Sequence, residues 1–374
     1  MDVVSLTQEF IKFNTVNPPG NEEGLARYIG SILVKHGFKV EYQKYAKHRL
    51  NLVATKGLSK ESPPIVLSGH LDVVPLGAEK WSVNPFEGEI KNDKLYGRGS
   101  TDMKAGLAAI IIAAIDSFAE EPPIGGVKVV FTADEELGCK GAKYLFDSGY
   151  DIGAACAIII GEPTSNVPYI AHKGGLYLNA KTIGRTAHSS MPELGDNAIY
   201  KAASAICQIE NLKFDVENDD TLGFPTINVG VVKGGLNLNS VPDKAEFTID
   251  IRSTTKLSNK IALQQLSNIL GNQVILEKLV DLNAVSTSVN HPFIQLISDI
   301  CAIDYKSGSI KKSVPYLTDA SVLTPWLGNA PTIILGPGEP EMAHKIDEYC
   351  YISKIREALV LYKEIIKKNG KKRL

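Results

Sequence analysis

Apolar residues recur at helical spacing from Val3 to Phe13, and a second helical stretch is opened by Asn21, carries Glu22 and Glu23 in its first turn, and is closed at Gly37. Extended segments follow around Phe38 to Tyr42 and Leu52 to Thr55. The pattern then changes. Ile65-Val66-Leu67, Val127-Val129-Val130-Phe131 and Ala157-Ile158-Ile159-Ile160 are short β-rich runs without polar alternation, as strands covered on both faces require. A helix over Lys104 to Phe118 lies between the first two, so the region reads as an α/β sheet.

The middle of the chain has another rhythm. Strand Leu176 to Ile183, helix Asn197 to Glu210, strands Ile227 to Val232 and Ala245 to Arg252, helix Asn259 to Leu270 and strand Val274 to Leu279 follow in order. This is the β-α-β-β-α-β order of the split βαβ unit. Afterwards the α/β character resumes with helix Pro292 to Ile303, strand Thr332 to Leu335 and helix Ile352 to Lys368. A small domain over 175–282, inserted into a larger one made of 1–174 and 283–374, accounts for the sequence better than two consecutive domains. The basic end, Lys367-Lys368 and Lys371-Lys372-Arg373, reads as a solvated helix terminus that complements the macrodipole.

Composition narrows the function. With 374 residues, 44% hydrophobic and 22% charged, the chain can bury sizeable cores. A formal net charge of -2 offers no long-range field to gather nucleic acid or an anionic membrane, so neither partner is expected. The longest apolar run, Gly106 to Ile115, is about half of what spans a bilayer. Met1-Asp2-Val3-Val4 lacks the basic region of an export signal. Five scattered cysteines without a Cys-x-x-Cys pair indicate neither a disulfide framework nor a thiolate zinc site. A cytoplasmic protein with reduced thiols is the expectation.

The chemistry sits where the apolar runs stop, since ligands of open α/β sheets gather beyond the carboxyl ends of the strands. Ile65-Val66-Leu67 runs into Ser68-Gly69-His70-Leu71-Asp72, Val127 to Phe131 into Thr132-Ala133-Asp134-Glu135-Glu136, and Ile158-Ile159-Ile160 into Gly161-Glu162. Asp102 precedes the helix that begins near Met103. So many anions at one rim repel one another unless cations sit among them, and imidazole with carboxylate, without thiolate, suits Zn²⁺ before Mn²⁺ or Co²⁺. Singly, each residue has a plainer reading: His70 as a satisfied polar residue, Asp102 as an N-cap, the Glu135-Glu136 pair as a solvated turn, Glu162 as a turn residue before Pro163.

Together the residues carry a family. Ser68-Gly69-His70-Leu71-Asp72-Val73-Val74-Pro75, Tyr96-Gly97-Arg98-Gly99-Ser100-Thr101-Asp102-Met103-Lys104, Asp134-Glu135-Glu136, Gly161-Glu162-Pro163-Thr164 and Met342-Ala343-His344-Lys345 resemble, in order, the motifs of the co-catalytic zinc amidohydrolases. That family includes acetylornithine deacetylase, succinyl-diaminopimelate desuccinylase, aminoacylase and carboxypeptidase G. The resemblance implies a zinc-peptidase-like catalytic domain, with a mixed central sheet flanked by helices, and an inserted ferredoxin-like βαββαβ domain that serves as lid and dimer contact. Asp102 is then expected to bridge two Zn²⁺ ions (Co²⁺ or Mn²⁺ being possible replacements), His70 and Glu162 to complete one site, and Glu136 and His344 the other. Glu135 is expected as general base and acid, Asp72 as the residue that orients His70, and Asp102-Met103 as a cis peptide.

The same resemblance makes His188 a donor that steadies the oxyanion in a partner subunit, hence a homodimer, and makes Asn239 and Arg252 holders of a substrate carboxylate. Gly336-Pro337-Gly338, a sharp turn after Ile333-Ile334-Leu335, either offers backbone N–H groups to that carboxylate, at Gly338, or merely ends the strand. The implied substrate is an N-acyl amino acid or short peptide, cleaved at a linear amide. One departure bears on the acyl group: Tyr316-Leu317-Thr318-Asp319-Ala320 stands where desuccinylases carry a Gly-Gly-Thr-Ser-Asp stretch. The competing readings are a metallo-exopeptidase or dipeptidase, whose bond is the same amide, and a catalytically silent metal-binding protein on the same scaffold.

Overall fold

The structure is a computed structural model and describes residues 1–119, 122–307 and 310–369; Lys371, Lys372 and Arg373 of the basic end lie outside the described residues. The chain divides into two compact units, one made of Met1–Ala171, Thr287–Lys312 and Thr318–Leu374, the other of His172–Ser286 and Ser313–Leu317.

The strands used below are β1 (Lys39–Ala46), β2 (Arg49–Lys56), β3 (Ile65–His70), β4 (Val127–Thr132), β5 (Ala157–Ile160), β6 (Gly175–Ile183), β7 (Thr226–Gly234), β8 (Lys244–Arg252), β9 (Val274–Leu282) and β10 (Thr332–Ile334). The helices are α1 (Val3–Ile11), α2 (Glu23–Lys35), α3 (Ala105–Asp116), α4 (Lys140–Asp147), α5 (Ala198–Glu210), α6 (Asn259–Leu270), α7 (Pro292–Cys301), α8 (Ala320–Trp326) and α9 (Ile352–Asn369).

In the first unit a six-stranded sheet runs in the order β1-β2-β4-β3-β5-β10. β1 pairs β2 and β2 pairs β4 antiparallel, whereas β4, β3, β5 and β10 are mutually parallel. The fold is therefore mixed α/β. β3, β4, β5 and β10 are buried along their whole length, because helices cover them and no residue has a solvent face to be polar on. α3 is buried through its first ten residues, where Ala, Gly, Leu and Ile leave no polar stripe, and it packs against α1, α9 and β3. Parallel pairing brings the carboxyl ends of β3, β4 and β5 side by side, with His70 opposite Thr132 and Ser68 opposite Ile160.

The second unit is an antiparallel sheet in the order β7-β8-β6-β9. Here alternation returns: Leu176, Leu178 and Ala180 of β6 and Ala245, Phe247, Ile249 and Ile251 of β8 turn into one core with α5 and α6. β7 is an edge strand, largely exposed.

Two helices were not legible in the sequence. α4 is opened by Cys139 in a left-handed conformation (φ 54°) rather than by a polar cap, and α8 is short and contains Pro325. α7 ends at Cys301 instead of Ile303, because Ala302 turns into the left-handed region at φ 53°. Asp102 is not an N-cap. It sits in a turn over Ser100–Lys104 with non-helical backbone angles at Asp102 and Met103, and the peptide between those two is cis.

Candidate metal centre

Each side chain expected at the centre arrives from a different parallel strand or its connection. His70 ends β3, the Glu135-Glu136 pair follows β4, Glu162 follows β5, Asp102 lies in the turn before α3, and His344 follows β10 and its turn. All lie within the first unit.

Asp102 is the pivot. Its Oδ1 stands 2.9 Å from His70 Nε2 and its Oδ2 3.5 Å from His344 Nε2, so one carboxylate presents one oxygen to each histidine. Glu162 Oε1 is 3.9 Å from His70 Nε2, and Glu136 Oε2 is 3.2 Å from His344 Nε2. Two donor triads result, His70-Asp102-Glu162 and Asp102-Glu136-His344, each with its ligand atoms within 4.8 Å of one another. The first is buried, whereas the His344 side chain is 55% exposed.

The electrostatics of this cluster ask for cations. Burial raises Glu162 well above the usual carboxylate range, against the pull of His70, and the Asp102 and Glu136 charges add to the rise. Glu136 is likewise raised by burial and by the Asp102 charge, and its Oε1 is buried with no hydrogen-bond partner. Burial alone favours a neutral His70 ring, but the Glu162 charge and the hydrogen bond to Asp102 outweigh it and raise the imidazole well above its ordinary value. His344 is pushed up to about 10 by its hydrogen bonds to Asp102 and Glu136. Without cations, protons on the imidazoles hold the carboxylates together. Divalent ions do the same through imidazole nitrogen and carboxylate oxygen, so the donor set fits two of them.

Asp72 holds the frame around the centre. His70 Nδ1 meets the backbone oxygen of Asp72 at 2.8 Å, while the nearer carboxylate oxygen is 3.7 Å away. That carboxylate instead accepts the backbone N–H groups of Glu135 (3.1 Å) and Glu136 (3.3 Å) and the amide of Asn17 (2.8 Å). Asp72 thus steadies the histidine through its main chain and the glutamate pair through its side chain, the kind of outer support that fixes a ligand's tautomer and aim. Glu135 is raised well above the usual carboxylate range by burial, then by the Glu162 charge.

Sequence reasoning missed further supports. Asp134, in a left-handed conformation (φ 61°), accepts Asn17 at 2.6 Å and Tyr45 at 2.9 Å and pairs with Arg49 at 3.2 Å, which pins the turn that aims Glu135. Glu348, fully buried, accepts the backbone N–H groups of Gly99, Thr101 and Asp102 and pairs with Arg98 at 2.6 Å, fastening the Asp102 turn to the His344 segment. Its one sequence signal is position, four residues after His344. Gly338 packs against the same turn: a Cβ there would meet the Thr101 carbonyl oxygen at 2.3 Å. Its own carbonyl accepts Ser165 N at 2.8 Å.

His188, Asn239 and Arg252 lie in the second unit. His188 is exposed, bridges to Ser240, and its Nδ1 accepts from Ser190; Ser189 N donates to Asn239 O at 3.0 Å, so the His188 and Asn239 loops run side by side. Arg252 closes β8, pairs with Asp250 at 2.9 Å and stacks over Tyr177 with 5.0 Å to the ring centre.

This centre, at the carboxyl ends of parallel strands, defines a class of metal-dependent hydrolase. The profile of peptidase family M20/M25/M40 matches residues 66–368, and the chain belongs to that family. Among its relatives is a probable succinyl-diaminopimelate desuccinylase of Staphylococcus aureus (strain MRSA252), 32% identical over 96% of this chain and 97% of the relative. An acetylornithine deacetylase of Vibrio cholerae is 31% identical over 88% and 87%. An M20 family metallo-carboxypeptidase from Sulfolobus solfataricus has the same fold, with TM-score 0.80 at 19% identity and 99% of both chains covered. A tripeptidase of Staphylococcus aureus follows at TM-score 0.75, 22% identity, with 99% of this chain and 98% of that one covered. The chain is therefore a hydrolase of amide bonds from a metal-dependent family. Among the described residues no helix is long and apolar enough to cross a membrane.

Proposed function

We propose that the chain removes the acyl group from N-acyl amino acids with two zinc ions, held by His70, Asp102 and Glu162 on one side and by Asp102, Glu136 and His344 on the other. The observation that carries the reading is the division of Asp102, one oxygen facing each triad. Two divalent cations bound there supply a nucleophile at neutral pH and polarise a carbonyl oxygen.

The chain's own residues do the rest. Glu135 takes the proton of the attacking water on its carboxylate and delivers it to the departing nitrogen as the C–N bond breaks, leaving a free acid and an amine. Its raised proton affinity suits both halves of that task. Asp72 keeps Glu135 and Glu136 in place through their backbone N–H groups. Arg252 offers a guanidinium to the substrate carboxylate, with Asn239 and the backbone at Gly338 as further donors. His188 serves as an oxyanion donor to a partner subunit, which requires a homodimer.

The test is metal analysis of the purified chain together with hydrolysis of N-acetylornithine, N-succinyl-diaminopimelate and a panel of dipeptides. Two ions per chain, chelator-sensitive activity and turnover of an N-acyl amino acid support the proposal. Turnover of dipeptides alone moves the assignment to an exopeptidase, whose reacting bond is the same and which Tyr316-Leu317-Thr318 at the departed motif keeps in play. No hydrolysis of any of these by zinc-loaded protein sinks it.

A further inference from the structure

Glu135 also belongs to a third group of donors, whose other two members the proposed reaction leaves unused. It comprises Glu135, Cys139 and Asp319, with ligand atoms all within 4.8 Å of one another. Cys139 is fully buried, and its thiol donates to Glu135 Oε1 at 3.5 Å. Asp319 is 1% exposed; one of its oxygens accepts the Thr132 hydroxyl, and the other, Oδ1, is buried without any hydrogen-bond partner. Among the described residues no Lys or Arg forms an ion pair with either Glu135 or Asp319. Two acids and a thiol are thus packed together, Cys139 and Asp319 buried and Glu135 half-buried, with no Lys or Arg among the described residues paired to them and the His70 charge as a partial offset.

The spacing is that of a coordination edge. Zinc–sulfur and zinc–oxygen bonds of about 2.3 and 2.1 Å at a tetrahedral angle place sulfur and oxygen about 3.6 Å apart. The Cys139–Glu135 separation is 3.5 Å. A thiolate among hard carboxylates selects Zn²⁺, Co²⁺ or Cd²⁺ over Mg²⁺ or Ca²⁺. Three protein donors leave a fourth position open for water.

We infer that Glu135, Cys139 and Asp319 form a separate site for a thiophilic divalent cation, and that filling it removes Glu135 from proton transfer, so that excess zinc inhibits the enzyme. The inhibitory consequence rests on the proposed role of Glu135; the site itself does not. On binding, the S–H bond of Cys139 breaks, its proton leaves to water, and a sulfur–metal bond forms with no change of oxidation state. The thiol has two states: a donor that steadies Glu135 when the site is empty, and a ligand when it is filled.

Cobalt(II) titration of the metal-free full chain reads the site without any activity assay, since only thiolate ligation produces a sulfur-to-cobalt charge-transfer band in the near ultraviolet. The expected result is a band in the wild type that grows after the first two equivalents and is absent in Cys139→Ser. In Asp319→Asn, which keeps the thiol, the band should require at least about tenfold more cobalt. Excess zinc should inhibit Cys139→Ser at least about tenfold less steeply, relative to that variant's own maximal rate. A band that persists in Cys139→Ser, or no band at saturating cobalt in the wild type, overturns the site. Failure of the two-metal centre shows separately, as fewer than two ions bound by Cys139→Ser.

Discussion

Glu135 and Glu136 are neighbours in sequence with different surroundings. Glu136 has a histidine partner 3.2 Å away, while Glu135 meets the Cys139 thiol and feels the repulsion of Glu162 more than the attraction of His70. Glu135→Gln keeps the shape and loses the proton acceptor, so the rate is expected to fall by roughly 10²–10⁴-fold. Bound zinc, measured by mass spectrometry or atomic absorption, should stay at the wild-type ratio; loss of zinc would place Glu135 among the ligands. His172 gives a second prediction at this scale. Burial lowers its pKa from 6.5 to about 4, and its Nε2 has no hydrogen-bond partner, so the ring is neutral in the native state. The unfolded chain binds a proton there below pH 6.5 and the folded chain does not. Stability is therefore complete above pH 6.5 and declines by about 3 kcal/mol as the pH falls to 4. Urea titrations of chelator-treated protein between pH 7 and 4 should show a shallower decline for His172→Gln. Identical slopes would mean the ring is already solvated.

At the scale of elements, the candidate ligands are aimed by the ends of strands and held by close helix packing. Gly106, in the first turn of α3, lies where a Cβ would be 2.3 Å from the Gly161 carbonyl oxygen, one residue before Glu162. Backbone cannot give way as a side-chain tip does. Gly106→Ala should therefore push the Glu162 segment off its place, destabilising the fold by about 1–3 kcal/mol despite the better helix propensity of alanine. Zinc affinity should fall along with the denaturation midpoint. A variant with wild-type zinc affinity and an equal or higher midpoint would show that α3 shifts without cost. The Ser100–Lys104 turn makes the same point from the other side: its conformation is held by Glu348 from a distant part of the chain, not by local propensity.

For the whole molecule, the exposed side of the second unit stands out. β7 is an edge strand, and Val231, Val232, Leu236 and Leu238 beside or within it are exposed, the last two at 93% and 99%. An open edge with apolar side chains is a template for pairing with another chain. Sedimentation should show a dimer for the wild type and a monomer for Val232→Lys combined with Leu238→Asp. If His188 acts in the partner's site, the monomer should also lose turnover while keeping its zinc. A dimer that persists in the double variant would direct attention to a different surface.

The sequence by itself determined the α/β class, because strands buried on both faces must be apolar throughout and helices must show a 3.6-residue period. It also marked the chemistry, since polar residues at the ends of such runs stand out against them. Short elements escaped it: α4 and α8 have too few turns to show a period and owe their place to packing, as the edge-on contact of Phe146 with Trp326 at 5.8 Å illustrates. Only the tertiary structure decided which oxygen of Asp102 faces which histidine, that the Asp72 main chain meets His70 while its side chain meets the glutamate pair, and that Asn17, Glu348 and Asp319 belong to the same frame. Apart from the contact of His70 with the Asp72 main chain two residues on, those contacts span 32 to 246 residues of chain, and a local pattern of polarity holds no record of distance through space.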